Sequence, residues 1–168
     1  MTNSIKTFSN YFAILLLTSF LAACATAPTE TTSSTSTSQS QVVGGVYVGT
    51  ETIEMLAVDV PDRVFFAYDS YSLAASAQAT LNKQAKWLKA NPSVAIALEG
   101  HADERGTREY NLALGDRRAS SVKDYLMSQG ISSNRISTIS YGKERPVKSG
   151  SNDTAWAQNR RSVSVRTN

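Results

Sequence analysis

The residues best equipped for chemistry crowd into one stretch: Glu99, His101, Asp103, Glu104 and Arg105, with Arg118 a few helical turns further on. Three acids so close together invite comparison with a glycosidase pair, in which an acid and a base or nucleophile stand about 5 to 9 Å apart. The surroundings argue against that chemistry. A chain of 168 residues has no room for a long substrate cleft, no nucleophile has a recognisable base, and Arg105 and Arg118 would hold the acids ionised. No catalytic residue is assigned, and a non-enzyme is expected. His101 is the only histidine, and without a second histidine or a cysteine at ligand spacing it makes no metal site. A structural hydrogen bond is its expected role. By spacing alone, Asp103 and Arg118 read as an internal salt bridge. Trp87 and Trp156 fall on helix faces, where packing is the default.

Cys24 is the only cysteine, so no intramolecular disulfide is available to it, and its position supplies another reading. Lys6 gives a weakly positive start, residues 11–21 form an apolar run broken by Thr18 and Ser19, and Ala22 and Ala23 precede the cysteine. That run falls short of the roughly 20 apolar residues of a membrane span and has the layout of an export signal. Leu21-Ala22-Ala23-Cys24 resembles a bacterial lipobox, which implies cleavage before Cys24 and lipid on its sulfur and new amino group. Several acyl chains make a stable anchor where one does not. The same resemblance, with Ala25 in the next position, implies sorting to the outer membrane, with the remainder facing the periplasm. No cofactor other than this covalent lipid is expected.

The formal charge of +3 drops to +2 once residues 1–23, which carry only Lys6, are removed. Basic and acidic residues are interleaved, and no basic run or aromatic-basic platform appears, so nucleic-acid binding is discounted. Residues 25–41 are almost wholly Ser, Thr, Ala and Gln, with Glu30 as the one acid. Such a segment predicts a tether with an r.m.s. reach of roughly 23 Å and a stretched limit of roughly 60 Å.

The remaining pattern positions the charged stretch. Residues 42–62 read as a short arm packed on the domain. A strand is expected over 64–68; Leu73, Ala77, Leu81, Ala85 and Leu88 then recur at helical spacing until Asn91-Pro92. The all-apolar residues 94–98 suggest a strand buried on both faces, followed by a polar loop over 99–107. A second helix carries Leu114, Val122 and Leu126 and ends at Gly130. Residues 135–141 form a third strand, Asn152 caps a short helix through Trp156, and 162–166 form the last strand. The order is βαβαβ(α)β: an α+β open sandwich, helices packed on one face of a mixed four-stranded sheet. The organisation expected is a signal segment, 1–23; a lipidated cysteine, tether and arm, 24–62; and a binding domain, 63–168.

Gly100-His101-Ala102-Asp103-Glu104-Arg105-Gly106-Thr107, followed by Asn111-Leu112-Ala113-Leu114-Gly115-Asp116-Arg117-Arg118-Ala119, resembles the peptidoglycan-binding signature of the OmpA C-terminal-like family. Tyr141-Gly142-Lys143-Glu144 and Asn159-Arg160-Arg161 are similar to its lipid-anchored members. The resemblance implies a ligand: the diamino acid of the peptidoglycan stem peptide, usually meso-diaminopimelate, whose free end carries an ammonium and a carboxylate. It further implies that Asp103 accepts from the ammonium and that Arg118 grips the carboxylate through two parallel N–H donors, a fork that lysine would lose. By the same resemblance Asn111 orders the loop and the start of the helix, Leu114 lines the pocket, and Tyr68 with Asp69, at the end of the first strand, closes its other side. The family often has a second acid where this chain has Ala67. The implied partners are peptidoglycan, TolB and other Tol proteins, in envelope integrity and cell division. The alternative is a wall-anchoring lipoprotein outside the Tol system.

Overall fold

The computed structural model of the chain describes residues 42–43, 46–47 and 55–167. Contacts divide the chain into two units, Met1–Thr35 and Ser36–Asn168. The signal segment, Cys24 and the tether lie outside the described residues, as does most of 42–54. Two short antiparallel pairs come first: β1 (Val42–Val43) with β2 (Val46–Tyr47), and β3 (Met55–Ala57) with β4 (Val60–Pro61). The main sheet contains β5 (Arg63–Phe65), β6 (Ile96–His101), β7 (Ile136–Gly142) and β8 (Arg161–Arg166) in the order β5-β8-β6-β7. Only β6 and β7 run parallel; β8 lies antiparallel to both β5 and β6. The sheet is therefore mixed, as the sequence pattern predicts.

Helix α1 (Ala75–Ala90) and helix α2 (Arg108–Ser128) bury their apolar stripes against the sheet. Leu81, Ala85 and Leu88 of α1 and Ala119, Val122 and Leu126 of α2 meet Val64, Ile96, Leu98 and Ile136 in one core. Leu56 and Val60 belong to that core too, so apolar packing begins ahead of Arg63. Gln84, fully buried, donates to the Pro61 carbonyl (2.7 Å) and accepts from the Ser164 hydroxyl (2.9 Å), which ties β4, α1 and β8 together. Arg135 performs a similar task at the end of α1, where its guanidinium donates to the Leu88, Asn91 and Val94 carbonyls.

The structure corrects three sequence expectations. The strand predicted at 94–98 begins at Ile96 and runs on through Glu99 and Gly100 to His101, taking three residues from the expected loop. Along it Ile96 and Leu98 are buried while Ala97 and Glu99 are half-buried. Both faces read as apolar because alanine occupies the alternate position, yet helices cover only one of them. The first strand ends at Phe65, not 68, leaving Tyr68 and Asp69 in the following loop; Asp69 has φ 50°, the left-handed region closed to an extended strand. The short helix α3 (Asp153–Asn159) fulfils its expectation, with Asn152 Oδ1 accepting from the Ala155 amide at 2.9 Å.

The pressing of α2 against the sheet depends on two glycines. A Cβ on Gly115 would come 2.3 Å from Ser140 Oγ and 2.9 Å from the Gly100 carbonyl oxygen; one on Gly100 would lie 1.8 Å from the Gly115 carbonyl oxygen. Helix and strand thus touch backbone to backbone at the level of the charged stretch. That contact fixes how far the side chains of Asn111, Leu114 and Arg118 reach over the strand ends.

Candidate functional site

Three segments converge beyond the ends of β5 and β6: the β5–α1 loop, the β6–α2 loop, and the first half of α2. They enclose a pocket of about 200 Å³ lined by Tyr68, Asp69, Asp103, Arg105, Gly106, Tyr110, Asn111, Leu114 and Arg118. All six binding residues singled out from the sequence, Tyr68, Asp69, Asp103, Asn111, Leu114 and Arg118, are brought together here. Of the three acids weighed for glycan cleavage, only Asp103 lines the pocket. Glu104 turns aside, accepting from Trp156 Nε1 at 2.9 Å, and Glu99 stands on β6, 3.6 Å from the His101 ring.

Asp103 and Arg118 do not pair with each other. Arg118 is fully buried and gives its guanidinium to three backbone carbonyls: Nε to Ser70 (2.8 Å), Nη1 to His101 (2.7 Å) and Nη2 to Ala67 (3.1 Å). A guanidinium has five N–H donors, so two are left over, one on each Nη nitrogen, for a carboxylate. Arg118 therefore staples the β5–α1 loop to the end of β6 and still presents a fork. Burial, and then the charge of Arg160, draw its pKa down to about 10, so it stays cationic at neutral pH.

Asp103 is buried, and its carboxylate accepts four hydrogen bonds. Arg105 supplies three, from its backbone amide (3.1 Å), Nε (3.1 Å) and Nη2 (2.6 Å); Arg160 Nη1 supplies the fourth at 3.3 Å. Burial by itself would raise this carboxyl, but the hydrogen bonds and charge of Arg105, joined by Arg160, hold it below the ordinary aspartate value. Arg160 Nε also donates to the Phe66 carbonyl at 3.0 Å, so the residue between α3 and the last strand supports both the acid and the end of the first strand.

The loop carrying Asp103 is held from several directions. Asn111 Nδ2 donates to the Arg105 carbonyl (2.9 Å), and Lys143 Nζ donates to the Gly106 carbonyl (2.8 Å). Thr107 Oγ1 caps α2 by accepting from the Tyr110 amide at 3.2 Å. The start of α2, with its partial positive charge, thus opens on the pocket. Across the mouth, Tyr110 donates its hydroxyl to the Asp69 carboxylate.

His101 departs from expectation. Its ring is buried, neither nitrogen makes a hydrogen bond, and it stacks on Tyr141 at 5.5 Å. The hydrogen bond at this position is made by its backbone carbonyl, to Arg118. Burial first, then the charges of Arg161, Arg145 and Arg63, push its pKa down to about 3. Among the described residues no cluster of His, Cys, Asp and Glu is arranged to hold a metal, and no helix is long and apolar enough to cross a membrane.

Sequence reasoning missed Arg105, Arg160, Lys143 and Tyr110 as parts of the site. Arg105 and Lys143 stand inside the family motifs, and Asn159-Arg160-Arg161 carries no role by spacing alone. Asn159 proves to organise the loop before α3, accepting from the Val147 and Lys148 amides and donating to the Lys148 carbonyl.

Residues 65–160 match the OmpA family over more than half of the chain, and the chain belongs to that family. Among curated relatives, the peptidoglycan-associated lipoprotein of Brucella melitensis is 59% identical over 108 residues, a match spanning 64% of this chain and 64% of the relative. The chain thus covers somewhat under two thirds of that relative's length. Among solved structures, the peptidoglycan-associated lipoprotein from Burkholderia pseudomallei is 43% identical with a TM-score of 0.62, covering 63% of this chain and 90% of that one. The C-terminal domain of Helicobacter pylori MotB shares the fold at 21% identity and a TM-score of 0.60, over 64% of this chain and 84% of that one.

Proposed function

We propose that the chain is a lipoprotein of the bacterial envelope that binds peptidoglycan without altering it. The diaminopimelate end of a stem peptide sits in the pocket, its ammonium on Asp103 and its carboxylate on the two remaining N–H donors of Arg118. Lipid on Cys24 holds the other end in the outer membrane, and the domain faces the periplasm. The observation that carries this reading is the convergence of the six named residues on one pocket, with an anionic wall at Asp103 and a cationic one at Arg118. Charge-assisted hydrogen bonds contribute about 1.5 to 3 kcal/mol each, enough in sum for a useful but reversible hold. The names of the relatives support the wall as ligand. TolB and other Tol proteins are the proposed partners, in envelope integrity and division.

The test is retention on purified sacculi, competed with free meso-diaminopimelate. Competition is expected to release the protein, and Asp103→Asn, which keeps the shape of the side chain and removes its charge, is expected to abolish retention with the fold intact. Retention that ignores both would refute the assignment. Arg118→Ala is a poor probe, because it also strands three carbonyls. Soluble muropeptides appearing in the incubation would point instead to an enzyme.

A further inference from the structure

Asp103 cannot accept an ammonium in the arrangement just described. A carboxylate offers about four lone-pair sites, and all four are taken, three of them by Arg105. Two of those three come from the Arg105 side chain, one on each carboxylate oxygen, whereas the bonds from its backbone amide and from Arg160 belong to the framework. The Arg105 side chain is about one-third exposed, in contrast to the 5% exposure of Arg160. Its guanidinium lies between two aromatic rings, 4.1 Å from the centroid of Tyr68 and 4.1 Å from that of Trp156. Neither ring accepts a hydrogen bond from it, so it can leave the gap between them without breaking one.

We propose that Arg105 is an internal counter-cation that occupies the ammonium subsite and that a ligand must displace. Resting on the diaminopimelate reading, this makes Arg105 a specificity-determining residue. A ligand that brings its own cation replaces two N–H donors with two, on the same oxygens, and leaves Asp103 fully bonded. A ligand lacking the ammonium cannot, because driving Arg105 out would strand a buried carboxylate on two bonds. Arg105 thereby keeps neutral and purely acidic stem-peptide ends out of the site. Displacement also lifts a guanidinium from the face of Trp156, which supplies a signal.

The experiment uses the mature chain carrying Cys24→Ser, with Trp87→Phe so that Trp156 is the only tryptophan, titrated with meso-diaminopimelate and with pimelate, which lacks the amines. With Arg105 in place, meso-diaminopimelate is expected to shift the Trp156 emission and pimelate to leave it unchanged. Arg105→Ala and Arg105→Gln are each expected to tighten meso-diaminopimelate binding at least several-fold by calorimetry, and to abolish the emission change. Weaker binding in both variants, or calorimetric binding with a silent Trp156 in the parent, overturns the displacement and leaves the diaminopimelate site standing. No calorimetric binding in the parent overturns both.

Discussion

The two buried charged side chains of the pocket, Arg118 and Asp103, have different tasks, and the difference is measurable. Arg118 satisfies three carbonyls that would otherwise lie unpaired in a loop junction. A lysine there has a single nitrogen and cannot reach all three. Stranding a buried acceptor costs about 1 to 3 kcal/mol, so Arg118→Lys is expected to lose about 2 to 5 kcal/mol in urea unfolding, along with sacculus retention. A lysine variant as stable as the parent would rule out the staple. Asp103 sets the pH range of binding. Its folded pKa lies below the unfolded value of about 3.9, so its charge, and whatever it contributes, is intact above that value and is lost only as pH falls through the lower folded value. Retention on sacculi should be flat from about pH 7 to 5 and fall only below about pH 4; half-loss at pH 5 would contradict the pairing. His101 acts in the same direction over a higher pH range. It is held neutral down to about 3, so the unfolded chain binds its proton first, and stability drains as pH drops below about 6.5, by up to about 1.4 kcal/mol per pH unit. Unfolding curves at pH 6 and 5 should show that slope, and His101→Phe, which keeps a ring on Tyr141, should flatten it.

The elements position these residues through a contact that leaves no space for a side chain. Gly115→Ala puts a methyl 2.3 Å from Ser140 Oγ, a short side chain on a strand that can yield only a little. We expect a loss of about 2 to 4 kcal/mol and weaker sacculus binding, since α2 must lift with Asn111, Leu114 and Arg118 aboard; undisturbed stability by denaturant titration would show the packing to be looser than described. Most of this architecture was legible in the sequence. The helical spacing of Leu81, Ala85 and Leu88, the Asn91-Pro92 stop, the Asn152 cap and the alternating last strand all have local causes, and all reappear. Less legible were features with distant causes. Phe66, just past the end of the first strand, is held by Arg160, nearly a hundred residues later, which takes its carbonyl, and β6 runs on to His101 because β7 and β8 are there to pair with it. Likewise the motif placed Asp103 and Arg118 in one pocket, but nothing in their spacing showed that Arg105 and Arg160 would hold the acid while Arg118 turned to backbone carbonyls.

At the scale of the whole molecule, the proposed lipid and the proposed wall site are separate attachments joined by a chain of fixed contour. Cys24→Ser should free the protein from the membrane fraction and leave sacculus retention unchanged, because no pocket residue lies upstream of Tyr68. The tether makes a subtler prediction. If residues 25–41 act as a flexible coil reaching roughly 23 Å, they set how often an anchored domain meets the wall, as an effective concentration, and have no part in the affinity once it does. Deleting them should therefore leave retention of the purified domain on sacculi unaltered while sharply reducing chemical cross-linking between anchored protein and peptidoglycan in cells. Replacing them with a Gly/Ser segment of equal length should restore the cross-linking, since length and flexibility, not side-chain identity, are what the coil supplies. A Gly/Ser replacement that failed to rescue would mean that the Ser/Thr segment makes contacts of its own.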